Sequence, residues 1–153
     1  MNPNHSLTTV FLAGLLLSAS AVSAQVATRD DAVAMVKKGV ASLKSKGTAR
    51  TLAEINNTQG TFRARDLYLT AYSKDGVQLA HGSNNRLVGM RLVDLRDGDG
   101  YSYLRERMEL AKTRPVFWQD IKVVNPLTRE SEPRAAYCEL ADDVLVCGAV
   151  QKL

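Results

Sequence analysis

His81 closes the apolar run Val77-Gln78-Leu79-Ala80 and is followed by the polar stretch Gly82-Ser83-Asn84-Asn85. An imidazole there could ligate a metal, act as a base, line a pocket or simply hold a loop. A metal site needs three or four converging donors. The only other histidine of the two is His5, in the leader described below, so no metal site is expected. Ser and Asp are plentiful, but no nucleophile motif marks a Ser-His-Asp arrangement. A structural loop residue and a pocket wall remain open, and catalysis is not expected.

Arg134 is the strongest anion candidate, because a guanidinium fork matches a carboxylate with two parallel hydrogen bonds. Glu132 and Glu139 are its alternative partners within the chain. Tyr72, Tyr103, Phe117, Trp118 and Tyr137 are either core or the aromatic wall of a small-ligand pocket. Arg134 and Tyr137 stand three apart, so in a regular strand they point to opposite faces. Both reach one pocket only at a strand end or a bulge. The acidic stretch "DLRDGDG" superficially resembles a Ca²⁺ loop. Asp94, Asp97 and Asp99 miss its spacing, and no Glu stands at its twelfth position, which leaves a turn before a helix.

The two cysteines lie in "AYCELADDVLVCGAV". Apolar runs flank Asp142-Asp143, the pattern of a hairpin with a two-residue loop. Pairing Ala141 with Val144, Leu140 with Leu145 and Glu139 with Val146 sets Cys138 opposite Cys147. That is a non-hydrogen-bonded pair with alpha carbons about 4.5 Å apart, within disulfide reach. A disulfide is therefore expected.

The elements that must carry these residues follow from periodicity. "TRDDAVAMVKKGVASLKSKG" predicts a helix: Thr28 and Asp31 form a capping box, lysines fill the last turn and Gly47 stops it. Its apolar stripe is Val33, Val36, Val40 and Leu43. "RTLAEINN" predicts a second, short helix. "LYLTAY" and "VQLA" are strands divided by the turn Ser73-Lys74-Asp75-Gly76. "RDGDGYSYLRERMELAK" restores helical spacing through Tyr101, Leu104, Met108 and Ala111. The strands "VFWQDIKVV", "RAAYCEL" and "VLVCGAV" follow, the first two separated by the polar turn segment "NPLTRESEP". Short connections imply an antiparallel sheet, on which the long first helix buries its stripe. The fold class is α+β.

The chain opens with a short apolar core, Val10 to Leu17, and small residues ending at Val22-Ser23-Ala24. That order predicts a secretory signal over residues 1–24, cleaved after Ala24, although no Lys or Arg precedes the core. The core is too short for a membrane span, which needs about 20 residues; an uncleaved leader anchored in the inner membrane is the alternative. Residues 25–153 suffice for one domain. The formal net charge of +4 comes from 20 basic against 16 acidic residues. The basic residues are scattered, without a cluster or interleaved aromatics, so no nucleic-acid role is expected.

From Asp66 to Val150 the sequence resembles the single Cache domain, type 2, a family of PAS-like extracytoplasmic sensor modules. The matching features are a Tyr-containing strand, the Asp75-Gly76 turn, His81 opening the next loop, and Leu87-Val88-Gly89. After these come an Asp-Gly before a helix, the Phe117-Trp118 strand, Arg134 with Tyr137, and a final strand containing Gly148. Gly82 stands where the family usually has Pro, Phe117 where it has Gly, and Arg134 where it has Lys. The resemblance implies a long N-terminal helix packed on an antiparallel PAS-like sheet, over one Cache-like domain at residues 25–153 with its core at 66–150. It implies no cofactor and no enzymatic activity. It further implies a soluble periplasmic protein that binds a small organic anion, such as a short carboxylate. Tyr72, His81, Tyr103, Phe117, Trp118, Arg134 and Tyr137 are the candidate ligand-binding residues. No transmitter segment follows Leu153, so signalling is expected through a separate membrane sensor kinase, chemoreceptor or transporter. An interaction module with a degenerate pocket is the alternative, and an enzyme using His81 the remoter one.

Overall fold

A computed structural model of the chain describes residues 26–97, 99–124 and 129–152; the leader lies outside them. Helix α1 (Arg29–Lys46) starts as its cap predicts. The Thr28 hydroxyl accepts the Asp31 N–H while the Asp31 carboxylate accepts the Thr28 N–H at 2.8 Å. Gly47, at φ 83°, ends it, and α2 (Thr48–Asn56) follows at once. The buried hydroxyls of Ser42 and Thr51 join the two helices at 2.9 Å.

The strands are β1 (Arg63–Ala64), β2 (Leu67–Ser73), β3 (Gln78–His81), β4 (Val116–Val124), β5 (Ser131–Ala141) and β6 (Val144–Gln151), with α3 (Tyr103–Thr113) between β3 and β4. They form one antiparallel sheet in the order β1-β2-β6-β5-β4, and β3 also pairs with β2. Alternation along the strands divides the core in two. Leu67, Leu69, Tyr137, Val146 and Val150 cluster with Ala32, Val36 and Leu43 of α1 and Ile55 of α2. Gly39 lets α1 lie close, since a Cβ there would stand 2.8 Å from Leu69 Cδ1. On the other face Leu104 and Met108 of α3 pack with Tyr72, Phe117, Cys138, Leu145 and Cys147.

Helix α3 has 11 residues, about 16 Å at 1.5 Å per residue, and covers only one end of that second face. Beyond it the sheet carries the short side chains Thr70, Ala136, Cys147 and Ala149, and an open volume remains above them.

The β5–β6 register is the one expected, with Cys138 opposite Cys147. The pair is bonded, S–S 2.06 Å, with alpha carbons 4.2 Å apart. Closing a loop of about ten residues contributes roughly 2–3 kcal/mol. Two boundaries differ from expectation. Tyr101 is not on the α3 stripe; it precedes the helix and is 42% exposed. Asp97 Oδ1 accepts the N–H groups of both Asp99 and Tyr101, at 3.0 and 2.9 Å, and so holds Tyr101 in the turn. Strand β5 begins at Ser131 rather than Arg134, because Ser131, Glu132 and Pro133 pair with Val124, Val123 and Lys122.

Candidate functional site

The open volume is a cavity of about 620 Å³. Its floor is Thr70 of β2, Ala149 and Cys147 of β6, Ala136 of β5 and Ile121 of β4. Tyr68 and Tyr72 rise beside Thr70, and Arg63 and Arg134 stand at the end away from α3's core contacts. His81, Ser83, Asn84 and Leu87 form the wall after β3, and α3 contributes Tyr103 and Arg107.

Arg107 governs the electrostatics. It is 2% exposed, yet no carboxylate among the described residues pairs with it. Its Nε donates to Gln119 Oε1 at 2.9 Å and its Nη1 to the Tyr72 hydroxyl at 3.3 Å. Gln119 is itself oriented, because its Nε2 donates to Tyr103 O and to Glu106 at 2.8 and 2.7 Å. The guanidinium lies 5.5 Å from the Tyr72 ring centre and 5.4 Å from that of Tyr103. Its Nη2 is buried and has no hydrogen-bond partner among the described residues. A buried cation left without a counter-charge is costly, and an anion in the cavity would relieve that cost.

Arg134 is differently placed. Its guanidinium lies 3.8 Å from the Asp66 carboxylate and 3.6 Å from that of Glu132, so its charge is already answered within the chain. Asp66 also holds the backbone before α1, accepting the Ala27 N–H at 2.9 Å.

His81 is held by its loop. Its Nδ1 accepts the N–H of Ser83 at 3.2 Å and of Asn84 at 2.9 Å, which puts the ring proton on Nε2. The ring packs on Tyr68 with centroids 5.1 Å apart. Burial pushes its pKa down to about 4. In the unfolded chain it would titrate near 6.5, so between these values the unfolded state binds the extra proton and stability falls as pH falls. His81→Asn keeps an acceptor for the loop without titrating. Wild type should lose about 3 kcal/mol relative to His81→Asn between pH 7 and pH 4. Denaturant unfolding of both proteins at a series of pH values checks this, and parallel curves would refute it.

Of the residues read from sequence, Tyr72, His81, Tyr103 and Arg134 line the cavity. Phe117 shares the face but is buried under α3, 6% exposed. Trp118 and Tyr137 lie on the opposite face, packed with the α1 core. Their rings are 5.1 Å apart, and Arg29 sits 4.0 Å from the Trp118 ring centre. Strand β5 runs without a bulge from Ser131 to Ala141, so Arg134 and Tyr137 point apart. Arg107, Tyr68 and Thr70 are the additions. The signal for Arg107 was an arginine three residues after Leu104, inside the apolar stripe of α3.

Residues 16–144 match the family described as Single Cache domain 2. The chain belongs to this family. Cache domains are extracytoplasmic, sensory ligand-binding modules, and the helices on a six-stranded antiparallel sheet are their α+β, PAS-like fold. A methyl-accepting chemotaxis protein from Vibrio parahaemolyticus is similar at 17% identity and TM-score 0.64, over 80% of this chain and 86% of that one. A Cache chemosensory domain described for carboxylic acid recognition has 18% identity and TM-score 0.66, over 80% and 91%. The periplasmic sensor domain of a chemotaxis protein has 15% identity and TM-score 0.63, over 80% and 88%. No curated protein sequence matches the chain. Among the described residues no group of three or more His, Cys, Asp or Glu could hold a metal ion, and no helix is long and apolar enough to cross a membrane.

Proposed function

We propose that this Cache protein is exported to the periplasm by its leader, binds a small carboxylate in the 620 Å³ cavity, and signals through a separate membrane sensor kinase, chemoreceptor or transporter. The observation that carries the reading is the unpartnered Nη2 of buried Arg107. Arg107 lines the cavity, so it sets a fixed positive charge in a wall with aromatic sides. Arg107, rather than Arg134, is the carboxylate anchor. Tyr72 and Gln119 hold the guanidinium plane, and Arg134 and Arg63 add positive potential at the far end. A shared fold with a domain described for carboxylic acid recognition agrees with this. The role is binding and not catalysis: both hydrogen bonds to His81 Nδ1 are taken up by the loop backbone, and Nε2 already carries its proton.

Melting the protein with carboxylates, amines and purines at millimolar concentration tests this. Carboxylates alone should raise the melting temperature, since a ligand of the folded state adds RT ln(1 + [L]/Kd) to its stability. No shift with any carboxylate would refute the reading and favour an interaction module with a degenerate pocket.

A further inference from the structure

Strand β4 is an edge of the sheet, whose order is β1-β2-β6-β5-β4. The Leu140 N–H donates to Pro115 O, and in an antiparallel ladder every second residue faces the same neighbour. Phe117, Gln119, Ile121 and Val123 therefore bond to β5, while the backbone N–H and C=O groups of Trp118, Asp120, Lys122 and Val124 point away from it. No described residue bonds to those outward groups. Natural sheets protect exposed edges by keeping them short, bulged or interrupted by proline. The opposite edge follows this with the two-residue β1. Strand β4 does not: it has nine residues, a continuous register with β5 and no proline. Val124 near its end is 50% exposed.

We propose that β4 pairs antiparallel with β4 of a second copy of this chain, about a two-fold axis through Ile121. A two-fold contact uses the same patch on both copies, and outward backbone groups must meet outward backbone groups, which leaves few registers. With Ile121 opposite Ile121, Asp120 meets Lys122 of the second copy twice, and Trp118 meets Val124 twice. Opposite charges and aromatic–β-branched pairs across strands are favourable, whereas like charges directly opposite are not. Moving the axis to Asp120 or to Lys122 sets two like charges face to face. The same charges that discourage an arbitrary strand thus admit a second copy in one register. Their present partners give way easily. Asp120 binds Lys152 at 2.5 Å and Lys122 binds Asp99, all four side chains being solvent-exposed, and exposed ion pairs are worth little. Ile121 lines the cavity, so the two cavity floors adjoin across the axis.

Sedimentation velocity on the purified protein at up to about 1 mM tests this, since a single strand pair makes a small, weak interface. Wild type should form dimers. Asp120→Lys and Lys122→Asp, each alone, should weaken self-association about tenfold or more, because both charge pairs beside the axis become repulsive. An equimolar mixture of the two variants should form heterodimers as readily as wild type forms homodimers. The double variant Asp120→Lys/Lys122→Asp should recover self-association, and such recovery separates a lost interface from misfolding of a single variant. Wild type that stays monomeric throughout would overturn the proposal. So would dimers that both single variants leave unchanged, which would place the contact elsewhere, on α1 or the exposed loop after β3. Loss in the single variants with no recovery in either the mixture or the double variant overturns it as well.

Discussion

Arg107→Met should abolish carboxylate binding, weakening it at least a hundredfold, without lowering the stability of the ligand-free protein by more than about 1 kcal/mol. The two halves of this expectation have one cause. With ligand present, the guanidinium supplies charge-assisted hydrogen bonds, each worth about 1.5–3 kcal/mol. In the empty cavity the same group is a buried cation whose Nη2 has no partner among the described residues. Replacing a buried ion by an apolar side chain of similar length is often neutral or stabilising. The offsetting losses are the hydrogen bonds to Gln119 Oε1 at 2.9 Å, which leaves that oxygen unpaired, and to the Tyr72 hydroxyl at 3.3 Å. Arg107→Lys keeps the charge but not the fork and should fall between the two. Arg134→Ala should weaken binding less than Arg107→Met, because Asp66 and Glu132 already face that guanidinium. Calorimetry gives the affinities and denaturant unfolding the stabilities. Retained affinity in Arg107→Met would remove the anchor, and a stability loss of several kcal/mol would make Arg107 a structural residue.

Gly76→Ala should cost roughly 3 kcal/mol of stability. Gly76 adopts φ +76° in the turn between β2 and β3, and a Cβ built there would lie 2.1 Å from Val93 Cγ1. The left-handed backbone costs an L-residue about 1–2 kcal/mol, and forcing an atom into a packed core about 1–3 kcal/mol more. Val93 is 8% exposed and belongs to the core that seats α3, so it cannot swing outward without opening that core. Gly89 is the control: it has φ +86° and nothing within 4 Å of its missing Cβ, so Gly89→Ala carries the backbone cost alone. Unfolding midpoints of both variants should differ by the packing contribution. Equal losses would mean that Val93 relaxes freely.

The elements were legible where local chemistry decides them. Thr28, Asp31 and Gly47 bound α1 through their own backbone and side-chain preferences, and the Asp142-Asp143 turn fixes every β5–β6 pair by counting outward. The cavity was only partly legible, because its membership depends on which face a strand residue takes and how far a helix reaches. Residue type pointed to Trp118 and Tyr137, but strand parity puts both under α1. Parity also assigned Arg134 to the other face. What parity could not give was that Asp66, distant in sequence, stands beside it. Arg107 was not legible, because arginines are mostly exposed and almost never fully buried unless paired. Its burial depends on Gln119 and Tyr72, residues brought to it only by the folded sheet.

The Cys138–Cys147 bond lies in the cavity floor itself, since Cys147 lines it and Thr70 pairs with Cys147 from the neighbouring strand. A covalent tie across β5 and β6, backed by continuous ladders to β2 and β4, forbids those strands to slide past one another beneath the cavity. The floor therefore behaves as an anvil. On the opposite side, residues 82–97 and 99–102 make few ladder bonds and expose Val88, Met90 and Leu95 at 37%, 48% and 47%, so compliance is expected there. Whatever displacement occupancy produces must be expressed through that roof and α3, and not through the sheet.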